Sequence, residues 1–302
     1  MSEPEPSRYT RRDLLRYSAV GLAALGGGSV LSSCSRTEPG TGTAAGTASG
    51  LQARADAGDP IRLVVGNEPP YTKLLPNGEV TGAEPDVAKA VLKRLGVTKV
   101  QGIQAAYESM IPGLVADRWD MITAGLFMNK SRCAEVLYSS PVIVSTESFA
   151  LPAGNPKGIT SLDDVKKGNV TIAVLAASYE LKTAKSLGVP ESKMQTYPLA
   201  PDALQGMEDG RVDAILLPTL SLEALKKQQG GNFEITEPLD EIPTTGSGAA
   251  FRPSDKDFHA KYDKELEAFK ETSEFDSIMN QWGFDPQAAR EATTKELCAT
   301  EG

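Results

Sequence analysis

From residue 59 onward, strand-like and helix-like segments alternate along nearly the whole chain. The apolar strand IRLVVG (Ile61–Gly66) precedes the helix PDVAKAVLKRL (Pro85–Leu95), which has proline at its start and Gly96 after its end. Further strands are predicted at 120–124, 145–151, 170–175, 194–198, 212–217 and 248–252. Further helices are predicted at 109–118, 161–167, 179–187, 201–209, 221–229 and 254–282. This alternation predicts an α/β protein with layered, mostly parallel sheets.

An internal echo indicates two halves of similar construction. The segments IPGLVADRWDMITAG (111–125) and LQGMEDGRVDAILLP (204–218) both run from a helix through a charged turn to an aspartate and an apolar strand. One copy lies in each half of the domain. Many α/β proteins contain such turns, so the echo supports two lobes without establishing them.

The first 58 residues carry addressing signals and a tether. A twin arginine (Arg11-Arg12) precedes the apolar run 17–31, whose about 15 residues are too short for an ordinary membrane span. Leu-Ser-Ser-Cys then resembles a lipobox, in which Cys34 becomes lipidated. We predict an export signal over 1–33 and a lipidated Cys34 with a flexible Gly/Thr/Ser/Ala tether over 34–58. The alternative is a plain secretory signal with a chance cysteine.

Charge and motif content argue against several classes of protein. The net charge of −9 and the pI near 4.9 disfavour nucleic acid as a partner. The chain has a single histidine, His259, in a charged helical stretch, which disfavours histidine triads and histidine-rich metal sites. GxxxxGK[ST], HExxH and GxSxG motifs are missing from the sequence. We therefore predict a binding protein without catalysis, cofactor or metal.

Two cysteines remain beyond the lipobox, Cys133 and Cys298. An exported location permits a disulfide, and an even count favours one. This bond would tie the C-terminal tail to the helix that carries Arg132. The alternative is a pair of buried free thiols.

The sequence contains a series of recognisable motifs in a fixed order: GNEPPY (66–71), GAEPDVAKAVLKRLG (82–96), YESMIPGLVADRWDMITAG (107–125), SRCAEVLYSSP (131–141), AGNPKG (153–158), GRVDAILLP (210–218) and the tail GFDP…KELC (283–298). Together these motifs resemble the extracytoplasmic solute-binding proteins of ABC importers, in the amino-acid-type family 3. Within that family the chain is most similar to the ectoine- and hydroxyectoine-binding proteins.

The resemblance implies a type II periplasmic-binding-protein fold, with two α/β lobes, two crossover strands and the ligand in the interlobe cleft. Lobe 1 would comprise 59–150 and 246–302, and lobe 2 would comprise 151–245, with the crossovers at 145–151 and 248–252. The implied partners are a small zwitterionic ligand and an ABC permease in the membrane. The protein would be a monomer, lipid-anchored on the outer face of the cell membrane.

Arg132 is the first of the implied ligand contacts, because the matching arginine of the family binds the ligand's carboxylate. A guanidinium offers a planar fork of donors that suits a carboxylate. Asn129 is a good N-cap, and we expect the following helix N-terminus to offer further N–H groups to the same anion. The alternative is a surface arginine without a binding role.

The resemblance also implies an aromatic box with one acid. Tyr71, Tyr107 and Phe127 match aromatic positions of the family, and aromatic faces attract delocalised cations such as the cyclic amidinium of ectoine. Glu68 would accept hydrogen bonds from the N–H groups of that ring. The alternatives are aromatic side chains in ordinary core packing and a solvated acid.

Two departures from the amino-acid binders concern lobe 2. Pro218 stands where many of them carry an aspartate for the α-ammonium, and Ala177-Ser178 replaces a frequent Gly-Thr. An unpaired buried ammonium is costly, so both changes disfavour a plain α-amino acid. Ser178 and Thr219 are the predicted lobe 2 contacts.

Three alternatives to ectoine capture remain open from the sequence. The ligand could be a polar or cyclic amino acid or a betaine. The protein could be a periplasmic dehydratase of the cyclohexadienyl type with Glu68 as general acid. It could also report its ligand to another receptor rather than to a permease.

Overall fold

Two five-stranded sheets organise the computed structural model, which describes residues 50–301. The first sheet contains β1 (Ile61–Val65), β4 (Val100–Gln104), β5 (Met121–Ile122), β6 (Leu137–Tyr138) and β14 (Ala250–Phe251). Its order is β4-β1-β5-β14-β6, with β1 parallel to β4 and β5 and with β14 antiparallel to its two neighbours. A small hairpin, β2 (Lys73–Leu74) and β3 (Val80–Thr81), lies before the first long helix.

The second sheet contains β8 (Glu147–Pro152), β9 (Ile172–Leu175), β10 (Met194–Tyr197), β11 (Ala214–Pro218) and β12 (Phe233–Ile235). Its order is β10-β9-β11-β8-β12, with β9 parallel to β10 and β11 and with β8 antiparallel to β11 and β12. Parallel and antiparallel pairs therefore occupy the same relative places in both sheets.

The internal echo has a structural basis in its two aspartates. The Asp120 carboxylate accepts a 2.8 Å hydrogen bond from the Arg62 backbone N–H, at the start of β1. The Asp213 carboxylate accepts a bond of the same length from the Thr171 backbone N–H, just before β9. In return, the backbone N–H of Asp120 donates to the Arg62 carbonyl, and that of Asp213 donates to the Thr171 carbonyl. The same sequence pattern thus aligns two equivalent parallel strands.

The sheets are connected by β7 (Ile143–Ser145) and β13 (Thr245–Ser247), which pair antiparallel with each other. The predicted crossovers at 145–151 and 248–252 were therefore wrong in detail, since most of the first segment is β8 and the second contains β14. A short apolar run has the same sequence pattern in a strand that connects two lobes as in a strand within a sheet, so the pattern does not distinguish the two. We use lobe 1 for residues 50–142 and 248–301, and lobe 2 for 146–244, so the predicted boundary at 150 shifts to Thr146.

Helices cover the sheets and their apolar sides form the core. In lobe 1 these are α1 (Leu51–Asp56), α2 (Ala83–Arg94), α3 (Tyr107–Val115), α4 (Lys130–Cys133), α9 (Lys256–Lys270), α10 (Ser273–Trp282), α11 (Pro286–Glu291) and α12 (Thr294–Leu297). In lobe 2 they are α5 (Leu162–Lys167), α6 (Tyr179–Ser186), α7 (Ala200–Glu208) and α8 (Thr219–Gln229). Among the residues 50–301, no helix combines the length and apolarity needed to cross a bilayer.

Two differences from the predicted elements have simple causes. The helical region 254–282 is divided, because the Thr272 side chain caps α10 by accepting the Phe275 N–H. The strand β4 was not predicted, because its sequence VQGIQ is polar and half-exposed at the edge of the sheet. The predicted export signal, Cys34 and most of the tether lie outside the described residues.

Cys133 and Cys298 form a disulfide with a Cα–Cα distance of 5.8 Å. Cys133 ends α4, and Cys298 directly follows α12. The covalent bond therefore holds the C-terminal segment against the short helix that carries Arg132. The Lys130 N–H, which donates to the Thr300 carbonyl at 3.0 Å, supports the same contact.

Candidate ligand-binding site between the lobes

A cavity lies between the lobes, at the ends of their central strands, and its empty space is about 310 Å³ when the part open to solvent is included. Lobe 1 contributes Glu68, Tyr71, Tyr107, Gly125, Phe127 and Arg132, and lobe 2 contributes Ser178, Tyr179, Glu180 and Pro218. All five lobe 1 side chains predicted from the sequence therefore meet in one place, together with Ser178. Thr219 does not line this cavity, because its hydroxyl bonds with Thr146 and Ser148 of its own lobe.

Arg132 is buried in the cleft and bridges the lobes. Its Nη1 donates to the Phe127 carbonyl at 2.6 Å, and its Nη2 donates to the Ala177 carbonyl of lobe 2 at 3.1 Å. Ala177 has a φ of 55°, an unusual conformation for a residue with a Cβ, and its carbonyl meets the guanidinium in this conformation. Arg132 lines the cavity, and the other N–H groups of its guanidinium have no acceptor in the described part of the chain, so the fork retains donors for an anion.

The short helix α4 offers fewer free N–H groups than the sequence analysis expected. The Asn129 side chain caps it as predicted, but it does so by accepting the Arg132 backbone N–H at 2.9 Å. The N–H groups of Lys130 and Cys133 are donated to the carbonyls of Thr300 and Asn129. These bonds use three of the four backbone N–H groups of α4, and within residues 50–301 only the Ser131 N–H is left without an acceptor. The guanidinium of Arg132 is therefore the main candidate for binding an anion here.

Glu68 is held by one hydroxyl from each lobe. Its Oε2 accepts from the Tyr107 hydroxyl at 2.9 Å, and its Oε1 accepts from the Ser221 hydroxyl of lobe 2 at 2.5 Å. Burial raises the pKa of Glu68, while these two hydrogen bonds oppose the rise. Ser221 was not predicted, since nothing in the first turn of α8 distinguishes it from a solvent-facing serine.

The aromatic side chains form a continuous wall. The rings of Tyr71 and Phe127 pack edge-to-face with their centroids 5.7 Å apart. Phe127 packs in the same way against Tyr179 of lobe 2, with a centroid distance of 5.8 Å. The Tyr71 hydroxyl hydrogen-bonds with the Ser145 hydroxyl on the crossover strand β7. Burial raises the pKa of Tyr71 and of Tyr107 well above the usual phenol value, so both remain neutral. Tyr179 is a further member of the wall that the sequence analysis did not identify.

Two further carboxyl groups approach the site from lobe 2. Glu180 lines the cavity, and Glu147 is buried on β8, opposite Pro218 of β11, which lines the cavity as well. Burial raises the pKa of Glu180 to about 7, and the neighbouring carboxylate of Glu68 adds to that rise. Burial and the charge of Glu180 raise the pKa of Glu147 further. A glutamate inside the apolar run ESFALP was the available signal for Glu147.

These acids correct one argument made from the sequence. The missing aspartate at Pro218 implied that lobe 2 offers no carboxylate to a cation. The pairing of β8 with β11 instead puts Glu147 opposite Pro218. Glu180, in the first turn of α6, lines the cavity. A positively charged group in the cleft is therefore faced by acids of both lobes. Within residues 50–301, no group of three or more His, Cys, Asp or Glu side chains has the arrangement of a metal site.

A larger groove adjoins the cavity along the interlobe surface. Its empty volume is about 1670 Å³, and it shares Glu68 and Tyr107 with the inner cavity while Ser221 lies on its wall. The hydrogen-bonded chain of these three side chains thus separates the inner cavity from the groove.

Comparison with known proteins finds relatives that are all solute-binding proteins. Residues 61–285 match the family described as bacterial extracellular solute-binding proteins, family 3. The probable amino-acid ABC transporter periplasmic-binding protein y4tE of Sinorhizobium fredii is 32% identical over 250 residues, which cover 79% of this chain and 83% of that protein. The ABC transporter arginine-binding protein 1 of Escherichia coli is 25% identical over 218 residues, 71% of this chain and 86% of that protein.

Solved structures resemble the chain along most of its length. The crystal structure of EhuB in complex with hydroxyectoine superimposes with a TM-score of 0.79 at 39% identity, and covers 83% of this chain and 98% of that one. The ancestral amino acid-binding protein AncCDT-1, a precursor of cyclohexadienyl dehydratase, gives a TM-score of 0.68 at 24% identity, with coverages of 78% and 99%. Together with the two sheets and the paired connecting strands, these likenesses confirm the predicted type II periplasmic-binding-protein fold.

Proposed function

Because the chain belongs to the bacterial extracellular solute-binding proteins of family 3, we propose that it captures ectoine or hydroxyectoine outside the cell and delivers it to an ABC permease. Family membership makes the chain an ABC-type solute-binding protein related to amino-acid binders. The identity of the ligand is the part that we propose.

One observation carries the proposal: Arg132 and Glu68 line the same small cavity as the aromatic side chains of Tyr71, Tyr107 and Phe127. Such a cavity suits a compact zwitterion. The guanidinium binds a carboxylate, while Glu68 and the aromatic faces stabilise a delocalised cation. Ectoine is a cyclic amidinium carboxylate and has both groups. The 39% identity to EhuB, solved with hydroxyectoine, supports the same ligand class.

A polar or cationic amino acid is the second candidate. The chain is also similar to arginine-binding proteins, and Glu147 and Glu180 supply acids that an ammonium or guanidinium group would need. A betaine is less well matched, because it has no N–H group to donate to Glu68. The likeness to a precursor of cyclohexadienyl dehydratase is one of fold alone, so we propose binding without turnover.

We further propose that the protein is tethered outside the cytoplasm. The support is the family's extracellular location together with the twin arginine, the apolar run and the lipobox-like Leu-Ser-Ser-Cys34 of the sequence. A monomeric, lipid-anchored protein would present both lobe surfaces to the permease when closed. Metabolic labelling with a radioactive fatty acid, in wild type and in Cys34→Ala, tests the anchor.

Calorimetric titration of the purified protein tests the ligand. We would compare the binding of ectoine, hydroxyectoine, arginine, proline and glycine betaine to wild type and Arg132→Ala. Lys130→Ala is the matched control, because Lys130 lies on the same helix as Arg132 and its exposed side chain pairs with Glu301. We expect saturable binding of the ectoines, weakened about 30-fold or more by Arg132→Ala and unchanged in the control. Tight binding of arginine or proline without binding of the ectoines would overturn the proposal.

A further inference from the structure

We propose that the C-terminal segment, residues 293–301, positions the guanidinium of Arg132 for the carboxylate of the ligand. Cys298 and Thr300 contact the helix that carries Arg132, and they are positioning residues that act on the ligand through it. The carboxylate belongs to the proposed function, on which this inference rests. The placement of Arg132 does not depend on the identity of the ligand and is tested without one.

The helix α4 has too few residues to hold its own position. It comprises the four residues Lys130–Cys133, and isolated helices shorter than about 12 residues are marginal in water. Its cap, the Asn129 side chain, comes from the same loop. Within residues 50–301, the Lys130 N–H is the one backbone group of α4 that bonds to a distant part of the chain, and its acceptor is the Thr300 carbonyl at 3.0 Å. The C-terminal segment therefore provides the backbone contact that fixes α4 from outside.

The C-terminal segment is attached to both ends of α4. At the first residue of the helix, the Lys130 N–H donates to Thr300. At its last residue, Cys133 forms the disulfide with Cys298. Arg132 lies between these two attachments, and both of them lead to the same short stretch of chain. A displacement of α4 must therefore break one of the attachments or move the C-terminal segment with it.

The C-terminal segment itself rests on lobe 1 and on the connecting strand β13. Leu297 is buried against Gly246 of β13, where a methyl group on the glycine would lie 2.8 Å from Leu297 Cδ1. Met128, two residues before α4, packs in the same apolar cluster as Leu297 and donates its N–H to the Gly246 carbonyl at 2.8 Å. The Thr294 hydroxyl donates to the Ser139 carbonyl at 3.1 Å. The segment thus has a fixed position of its own, which it imposes on α4.

This attachment matters most when the cleft is open. The bond from Arg132 to the Ala177 carbonyl belongs to the closed arrangement, because Ala177 lies in lobe 2. The bond to the Phe127 carbonyl stays within the loop that leads to α4. Before the lobes close, the place of the guanidinium in lobe 1 is therefore set by α4 and its attachments. A side chain that is already in place loses less conformational entropy when its ligand binds.

A cycle of variants tests whether the segment acts through Arg132. We expect the double variant Cys133→Ser, Cys298→Ser to bind ectoine about tenfold more weakly than wild type, because α4 is no longer fixed at its end. Combined with Arg132→Ala, the same change should alter affinity less than about twofold, because the group through which it acts is missing. Combined with Ser221→Ala, which acts on Glu68 instead, the tenfold loss should persist. Titration to millimolar ligand by NMR measures the weak variants. An equal loss in all three backgrounds overturns the proposal.

Two further variants separate positioning from loss of stability. Phe269→Leu removes a buried ring of the lobe 1 core and should lower the melting temperature while affinity is retained. Glu301→Gln removes the exposed ion pair with Lys130 and should change affinity less than about twofold, because such pairs contribute little. If Phe269→Leu weakens binding as much as loss of the disulfide does, the effect is one of general destabilisation and the inference is wrong.

Hydrogen exchange of the backbone amides tests the placement of Arg132 without ligand. In the double cysteine variant, we expect the N–H groups of Lys130 and Arg132 to exchange about tenfold faster or more than in wild type, because α4 opens locally. Amides of α7 in lobe 2 are the control and should be unchanged. Unchanged exchange in α4 overturns the positioning even if ectoine binds. Faster exchange in α4, in a protein that binds no ectoine, leaves the positioning standing and refutes the proposed ligand.

Discussion

The carboxylate of Glu68 in lobe 1 accepts a 2.5 Å hydrogen bond from the hydroxyl of Ser221 in lobe 2. The bond from Arg132 to the Ala177 carbonyl crosses the same cleft. The closed arrangement is thus held by side chains that also line the ligand cavity. The side chains that join the lobes therefore belong to the candidate site, and the proposed function predicts that lobe closure and ligand binding depend on the same residues.

Removing the Ser221 hydroxyl should weaken closure. Ser221→Ala deletes one hydrogen bond to a charged acceptor, and such bonds contribute about 1.5–3 kcal/mol. We expect ligand affinity to fall about 10- to 100-fold, with a more open ligand-free protein in small-angle X-ray scattering. Ser277→Ala, on the exposed side of α10 in lobe 1, is the control and should change neither. Equal affinities for both variants would mean that this bond does not contribute to closure.

The aromatic wall should contribute a cation-dependent part of the affinity. Phe127→Leu keeps an apolar side chain and the backbone carbonyl that accepts from Arg132, but removes the ring. Cation–π contacts are worth about 0.5–2 kcal/mol, depending on how far the cation is desolvated. We therefore expect calorimetry to show that ligand affinity falls about 3- to 30-fold. Phe269→Leu removes a buried ring of the lobe 1 core that does not line the cavity, and should lower stability only. Similar affinity losses in both variants would contradict a direct contact.

Stability should depend on pH through Glu84. This buried carboxyl accepts bonds from the Gly125 N–H and the Ser247 hydroxyl, yet burial raises its pKa to about 7. Its folded pKa lies above the unfolded value, so the folded state binds the proton more tightly. The resulting stabilisation is complete below about pH 4.5 and is lost as the pH rises to about 7, by up to about 3 kcal/mol.

Urea unfolding of wild type and Glu84→Gln at several pH values measures this effect. The difference in free energy of unfolding between wild type and variant should decrease between about pH 4.5 and pH 7, and then level off. A difference that stays constant over this range would show that Glu84 is ionised in the folded protein throughout.

The disulfide should stabilise the fold by restricting the unfolded chain. Cys133 and Cys298 are separated by 165 positions in the sequence, and the chain-entropy model gives up to about 5 kcal/mol for so long a loop. We expect the double variant Cys133→Ser, Cys298→Ser to unfold at lower urea concentration, and reductant to lower the wild type similarly. Reductant should leave the double variant unchanged. Unfolding curves that coincide for oxidised and reduced wild type would contradict the prediction.

The elements that were predicted correctly have strong local signals. The helix α2 is amphipathic, with acids in its first turn and basic residues in its last, and the strands β1, β9 and β11 are short apolar runs next to turns. The edge strand β4 and the connecting strands β7 and β13 were missed or misplaced. Their residues obtain partners only from distant segments, so local sequence does not distinguish them from loops or from sheet strands.

The candidate site divides in the same way. Glu68, Tyr71, Tyr107, Phe127 and Arg132 were predicted because each lies in a motif directly after or beside a lobe 1 strand, and the ends of neighbouring parallel strands meet at one edge of the sheet. In lobe 2, Ser178 lines the cavity but Thr219 does not. One helical turn separates Thr219 from Ser221, and a sequence does not specify which of two hydroxyls faces the cleft.

The sequence by itself determined the α/β alternation, the two related halves and the lobe 1 side chains of the candidate site, because these depend on periodicity and on motifs that are continuous in the chain. Only the tertiary structure decided that Glu180 lines the same cavity as Glu68 and that Ser221 reaches Glu68. Both relationships join side chains of different lobes, which meet only where the two lobes come together. Charges and donors brought together across such distances acquire their pKa values and partners from packing, which no local pattern records.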